Sequence, residues 1–123
     1  MQKTKTILAV DDEPQVVRFI EWHLSQNKSG LLVKGFTDPV LAVDEFEEHF
    51  AEYEASISAI KMHDMTGFQF VRCINAIKPQ LRAYLMTSFK IRKFEFDKVF
   101  PSVKVEGFIQ KPISIQALDE IFR

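Results

Sequence analysis

Three acidic side chains, Asp11, Asp12 and Glu13, stand together directly after the apolar run TILAV (6–10). Two carboxylates this close repel one another unless a cation lies between them. The pattern suits a hard divalent cation, since Mg2+ takes one or two carboxylates, a carbonyl and waters. The plainer reading is a solvated turn that leads into a helix. Later apolar runs end in further groups that can do chemistry. Thr87 and Ser88 follow LRAYLM (81–86), and Lys111 and Pro112 follow VEGFIQ (105–110). Lys111 can neutralise the acidic pair when no metal is bound. A fourth run, ASISAI (55–60), ends at Ala59, whose methyl group offers nothing to a reaction. The polar turn KMHDMTG (61–67) comes after it.

These groups meet only if the runs are strands of one sheet. TILAV is continuously apolar, as a buried parallel strand should be. EPQVVRFIEWHLSQN (13–27) follows with Val17, Ile20 and Leu24 at helical spacing, and Pro14 near its start needs no N–H there. LLVKGF (31–36) reads as the second strand. TDPVLAVDEFEEHF (37–50) offers Asp38 as N-cap and Pro39 in the first turn, with Ala42, Phe46 and Phe50 facing inward. After the strand at 55–60, a helix opens beyond Gly67 with Phe70, Ile74 and Ile77 on one face, and stops before Pro79. The strand 81–86 leads to a helix over about 90–100 that ends at Pro101. The strand 105–110 leads to a last helix capped by Ser114, with Ile115, Leu118 and Ile121 inward. Five strand–helix units imply an α/β three-layer sandwich with a parallel sheet and helices on both faces. In such a sheet the site lies beyond the carboxyl ends of the strands, where the acids, the hydroxyl and the lysine all fall.

Composition narrows the function classes. A chain of 123 residues is expected to form one domain, residues 1–123, with no effector domain. The net charge of −1 gives no sign of a generic nucleic-acid binder. Lys90, Arg92 and Lys93 read as a solvated helix face rather than a phosphate-binding patch. The single cysteine, Cys73, rules out an internal disulfide and reads as a small buried residue in a reducing, cytoplasmic setting. No apolar run approaches about 18 residues, and residues 1–6 pass straight into a strand, so neither a membrane span nor a signal peptide is expected. A nucleotide or flavin site needs a glycine- or hydroxyl-rich loop after the first strand. None of the four glycines (30, 35, 67 and 107) lies there.

Four segments carry a resemblance. ILAVDDEP (7–14), IKMHDMTGF (60–68), LMTSF (85–89) and GFIQKPIS (107–114) occur in this order along the chain. Together they resemble the receiver domains of two-component response regulators over essentially the whole length. The resemblance implies a flavodoxin-like sheet of order 2-1-3-4-5 with five helices, and a signalling module rather than an enzyme. It implies that Asp11 and Asp12 hold Mg2+, Asp12 the more directly, together with the backbone carbonyl of Lys61. It makes Thr87 the hydroxyl that meets a phosphoryl group, Lys111 the lysine that pairs with it, and Phe108 the aromatic that turns inward on switching. Lys111–Pro112 becomes a candidate cis bond. The implied partners are a histidine kinase or phosphotransfer protein, and a downstream effector on the face made by helix 4, strand 5 and helix 5. Candidates on that face are Phe94, Phe96, Phe108, Lys90 and Lys93, about half of them exposed. A homodimer is a further option, and neither nucleic acid nor a membrane is an expected direct partner.

Two positions depart from the family pattern. The phosphoacceptor aspartate aligns with Ala59, and the usual proline of the following loop aligns with His63. Alanine has no oxygen nucleophile, so phosphorylation at that position is blocked and Mg2+ binding should be weak. A natural pseudo-receiver and an engineered Asp-to-Ala block both fit the sequence. Asp64 lies in the same loop, aimed at solvent, and His63 reads as a surface histidine more than a metal ligand. The alternative class, a small haloacid-dehalogenase-like phosphohydrolase, wants a D-x-D pattern that Asp11 and Glu13 only approximate, and a longer chain.

Overall fold

The first strand alternates between two buried faces. Leu8 and Val10 of the first strand point to one apolar cluster, Ile7 and Ala9 to the other. A strand apolar on both faces needs helices on both sides, and the computed structural model, which describes residues 5–26 and 31–122, shows that arrangement. The elements run β1 (Lys5–Val10), α1 (Pro14–Ser25), β2 (Leu31–Phe36), α2 (Pro39–His49), a 3-10 turn (Phe50–Glu52), β3 (Tyr53–Ala59), α3 (Gly67–Ile77), β4 (Arg82–Thr87), α4 (Lys93–Val99), β5 (Gly107–Gln110) and α5 (Ile115–Ile121). The five strands are parallel in the order β2-β1-β3-β4-β5, a flavodoxin-like sheet.

Helices α2, α3 and α4 cover one face through Ala42, Phe46, Phe70, Ile74 and Phe96. On that side four rings form a closed group. Phe68 stacks on Phe100 at 4.9 Å between centroids, and Phe96 meets Phe68 at 5.7 Å, Phe100 at 5.2 Å and, edge to face, Phe108 at 5.1 Å. Helices α1 and α5 cover the other face through Ile20, Leu24 and Leu118.

Side-chain caps fix the starts of α2, α3 and α5. Asp38 accepts a hydrogen bond from the Val40 amide at 2.9 Å. Ser114 accepts one from the Ala117 amide at 3.1 Å. At α3 the cap is reciprocal. The Gln69 amide donates to Thr66 Oγ1, and the Gln69 side chain accepts from the Thr66 amide. The T-x-x-Q pattern that encodes this box is visible in the sequence.

Several expectations are corrected. Phe50 is 44% exposed rather than inward, because the chain tightens into a 3-10 turn there and rotates the side chain outward. Ile115, the first residue of α5, is 45% exposed rather than inward. Cys73 is half-buried rather than fully packed. β3 starts at Tyr53, and α4 is one short helix, Lys93–Val99. Lys90 and Arg92 therefore sit on the loop before α4, and only Lys93 of the basic cluster is helical. The α1 extension expected at 27 and the expected lead-in over residues 1–4 lie outside the described residues. Among the described residues no helix is long and apolar enough to cross a membrane.

Candidate functional site

The register brings the strand ends together. Val10 pairs with Ser58, and Ala59 with Met86. One step beyond, Asp11 stands level with Ala59 at the centre of the sheet. Thr87 pairs with Gln110, so Lys111 emerges beside it.

Asp11 extends β1, its amide donating to Phe36 O at 3.1 Å, and its side chain is fully buried. Oδ1 accepts from the Glu13 amide at 3.0 Å. Oδ2 lies 2.8 Å from Lys111 Nζ. Among the described residues, Oδ2 has no partner besides that ammonium. Burial pushes the Asp11 carboxyl above the usual range, and the Lys111 and Glu13 contacts pull it back in part. The Lys111 ammonium also reaches Glu13 Oε1 at 3.7 Å. Its own backbone is anchored by a 2.8 Å bond from its amide to Thr87 O, and the Lys111–Pro112 peptide is cis.

Asp12 is half-buried and faces His63, whose Nε2 lies 3.6 Å from Asp12 Oδ2. The His63 side chain is 88% exposed, so this is a loose surface contact. The loop that carries His63 is tightly built. The Ile60 amide donates to Met86 O at 3.3 Å, and the Gly67 amide donates to Ile60 O at 2.7 Å. Asp64, on the solvent side, takes the left-handed backbone with φ 69°. Gly67 packs directly against the Ala59–Ile60 backbone. A Cβ at 67 would sit inside contact with Ala59 O and 2.8 Å from Ile60 Cα.

Thr87 is buried, and its hydroxyl is committed locally. It donates to Phe89 O at 3.0 Å and accepts from the Phe89 amide at 2.9 Å. The hydroxyl thus closes a turn at the end of β4.

A cleft of about 470 Å³ opens between these groups, lined by Asp12, Lys61, His63, Thr87, Ser88 and Lys111 among others. Ala59 forms part of its floor's support. It is 1% exposed, packed in the cluster with Ile57, Met86 and Met62. Phe108 is not in the cleft. It is half-buried against Phe96 on the α4 side. A second, apolar recess of about 380 Å³ lies beside Lys111, between Val16 and Phe19 of α1 and Pro112 and Ile113 before α5.

The structure therefore brings Asp11, Asp12, Thr87 and Lys111 to one end of the sheet around Ala59, and keeps Phe108 one layer away. The sequence did not reveal the Thr87–Phe89 ring or the Gly67–Ile60 clamp. The only sequence signal for the clamp is the glycine at 67.

Residues 7–123 match the family model described as the response regulator receiver domain. This chain belongs to the response regulator receiver family. No curated protein matches it. Among solved structures, the receiver superposes on the Vibrio cholerae chemotaxis protein CheY4 with TM-score 0.81 at 22% identity, over 96% of this chain and 95% of that one. It superposes on the signal receiver domain of an HD domain-containing protein from Pseudomonas fluorescens Pf-5 with TM-score 0.82 at 20% identity, over 100% of this chain and 87% of that one. A receiver domain protein from Clostridium thermocellum gives 0.79 at 21%, over 94% and 89%. At these identities the likeness establishes the fold. Receiver domains are generally signalling modules of two-component systems, and they generally bind Mg2+ at an acidic pocket. The donor set here fits such an ion in part. Asp11 and Asp12 offer carboxylates and Lys61 a carbonyl, but the Ala59 side chain adds no oxygen.

Proposed function

We propose that this receiver domain signals through protein contacts and cannot accept a phosphoryl group at the usual position. The observation that carries the reading is Ala59. It ends β3 beneath the cleft, 1% exposed, level with the Asp11–Lys111 pair. Transfer from a kinase histidine to a receiver needs a carboxylate oxygen as nucleophile, and a methyl group has none. Asp11 and Asp12 would hold Mg2+ with the Lys61 carbonyl. With one acid fewer the affinity is low. Mg2+, when bound, neutralises charge on a phosphoryl group or its mimic. Lys111 is positioned to pair with such a group, and Thr87 would have to leave Phe89 to reach it. Phe108 would report that movement to the α4–β5–α5 face.

That face supports an output role for an effector protein. Phe94 is 70% exposed there, and the side chains of Lys93 and Asp97 form an exposed pair at 2.8 Å. Phe96 is buried and holds Phe108. A histidine kinase or phosphotransfer protein remains the partner class on the input side, and the cytoplasm the expected location. Neither a phosphohydrolase nor a flavin or nucleotide site is favoured. The cleft has no glycine-rich phosphate loop after β1, and the acids there would repel a phosphate.

The test is beryllofluoride with Mg2+, followed by amide NMR. The unchanged chain is expected to show no widespread shifts at Thr87, Phe108 and Lys111. Ala59→Asp is expected to gain them. Such shifts in the unchanged chain would overturn the block.

A further inference from the structure

At the opposite end of the sheet from the cleft, where β3 begins, α2 and the 3-10 turn bring together an imidazole and two carboxylates. Glu45 and His49 lie one helical turn apart, and Glu52 follows on the turn. One ligand atom from each of Glu45, His49 and Glu52 lies within 4.8 Å of the others. His49 Nδ1 is 3.3 Å from Glu45 Oε1. Two ligands of a tetrahedral Zn2+, each about 2.0–2.1 Å from the metal, are about 3.3–3.4 Å apart, so this pair already has the spacing of a tetrahedral edge.

The scaffold is fixed from behind. Glu45 Oε2 accepts from the Tyr53 hydroxyl at 2.7 Å and from Lys34 Nζ at 3.2 Å, which leaves Oε1 for the metal side. Lys78 Nζ donates to Phe50 O at 3.2 Å and to Tyr53 O at 2.6 Å, which pins the turn that presents Glu52. Partners bound to the far side of a ligand set its orientation and raise metal affinity. The carbonyl end of α2 also favours a cation at this point. A lone i,i+4 His–Glu ion pair would need neither the third ligand nor the pinned turn.

We propose that Glu45, His49 and Glu52 form a site for a borderline divalent cation, with Zn2+ as its probe and a water as fourth ligand. The imidazole separates it from a hard-cation site. Mg2+ prefers oxygen and keeps its waters, whereas imidazole suits Zn2+ and its first-row neighbours. Metal here clips the end of α2 to the start of β3. The proposal is independent of the phosphorylation block.

The experiment is Zn2+ titration of the full chain at neutral pH, read by the His49 imidazole NMR signals and by calorimetry. Saturable shifts of His49 in the micromolar range are expected, unaffected by millimolar Mg2+. His49→Ala and Glu52→Gln should each weaken this binding about tenfold or more. Both side chains are exposed, so the fold survives either change. Zn2+ that leaves the His49 signals unmoved below about 1 mM overturns the site. So does binding that the two variants leave unchanged, or that Mg2+ displaces.

Discussion

Replacing Lys111 by Met should expose how much of the fold's stability hangs on one ion pair, and should do so in a pH-dependent way. Methionine keeps most of the apolar stem and removes only the charge. Asp11 is then left fully buried with a single 3.0 Å hydrogen bond from the Glu13 amide. Removing one partner of a buried pair costs about 3–5 kcal/mol when the other stays charged. Asp11 has an escape, which is to take up a proton. For a carboxyl of ordinary pKa 3.8, protonation costs about 4 kcal/mol at pH 7 and about 1.6 kcal/mol at pH 5, at 1.36 kcal/mol per pH unit. The smaller penalty is the one observed, so the loss should be about 3–4 kcal/mol at pH 7 and about 1.5 kcal/mol at pH 5. The sign follows from linkage. Burial already raises the folded-state pKa of Asp11, and loss of Lys111 raises it further. A raised carboxyl binds protons more tightly in the folded state, so the variant loses stability as pH climbs above 3.8. Urea denaturation of both proteins at pH 5 and pH 7, without metal, measures this. Asp11→Asn combined with Lys111→Met should recover most of the pH 7 loss. A loss that is the same at both pH values, or below about 1 kcal/mol at pH 7, refutes the reasoning.

Three further outcomes are expected. Ala59→Asp places a third carboxylate beside Asp11 and Asp12. Like charges about 6 Å apart at an effective dielectric near 20 repel by about 3 kcal/mol, part of it offset by Lys111. The metal-free variant should be about 2 kcal/mol less stable and regain this with Mg2+, and a higher metal-free melting point than the unchanged chain contradicts it. Gly67→Ala forces a Cβ into the Ala59–Ile60 backbone and should cost about 3 kcal/mol in urea denaturation, with amide exchange fastest at Ile60 and Gly67. Tyr53→Phe removes the 2.7 Å bond to Glu45 and should cost about 1 kcal/mol at pH 7. Because that bond depresses the Glu45 carboxyl, its contribution is present above the ordinary value of 4.5 and lost as pH falls below it. The difference between the two proteins should therefore shrink as pH is lowered through the depressed Glu45 value.

The strand runs, most of the helix faces and the convergence of Asp11, Thr87 and Lys111 could be read along the chain, because apolar periodicity and position at a strand end are local facts. Strand order was not among them. Nothing in TILAV states that β1 lies between β2 and β3, and the order came only with the resemblance in four motifs. Phe50 was misplaced because it continues the spacing of Ala42 and Phe46, while the backbone leaves the α-helix at that residue. The Thr87 hydroxyl was legible as a group but not as an orientation. Whether it faces the cleft or its own turn depends on a rotamer that the Phe89 backbone decides. The Lys78 anchor was illegible for a similar reason, since it joins residues 25 and 28 apart through carbonyls that have no side-chain signature.

The four-ring group on the α4 side sets a rule for how this family member can change over time. Phe96 touches all three of the other rings, so its shape is shared among α3, α4 and β5. Phe68 and Phe100 share Phe96 and also stack on each other, Phe108 joins the group through Phe96, and a smaller residue at any of the four leaves a gap the others cannot reach without moving a helix. Substitutions here should be accepted in compensating pairs, with Phe96 the last to change. Related chains with different lengths or positions of α4 should differ first at these four positions, and double-variant cycles between Phe96 and Phe108 should show a coupling that neither residue shows with exposed Phe94.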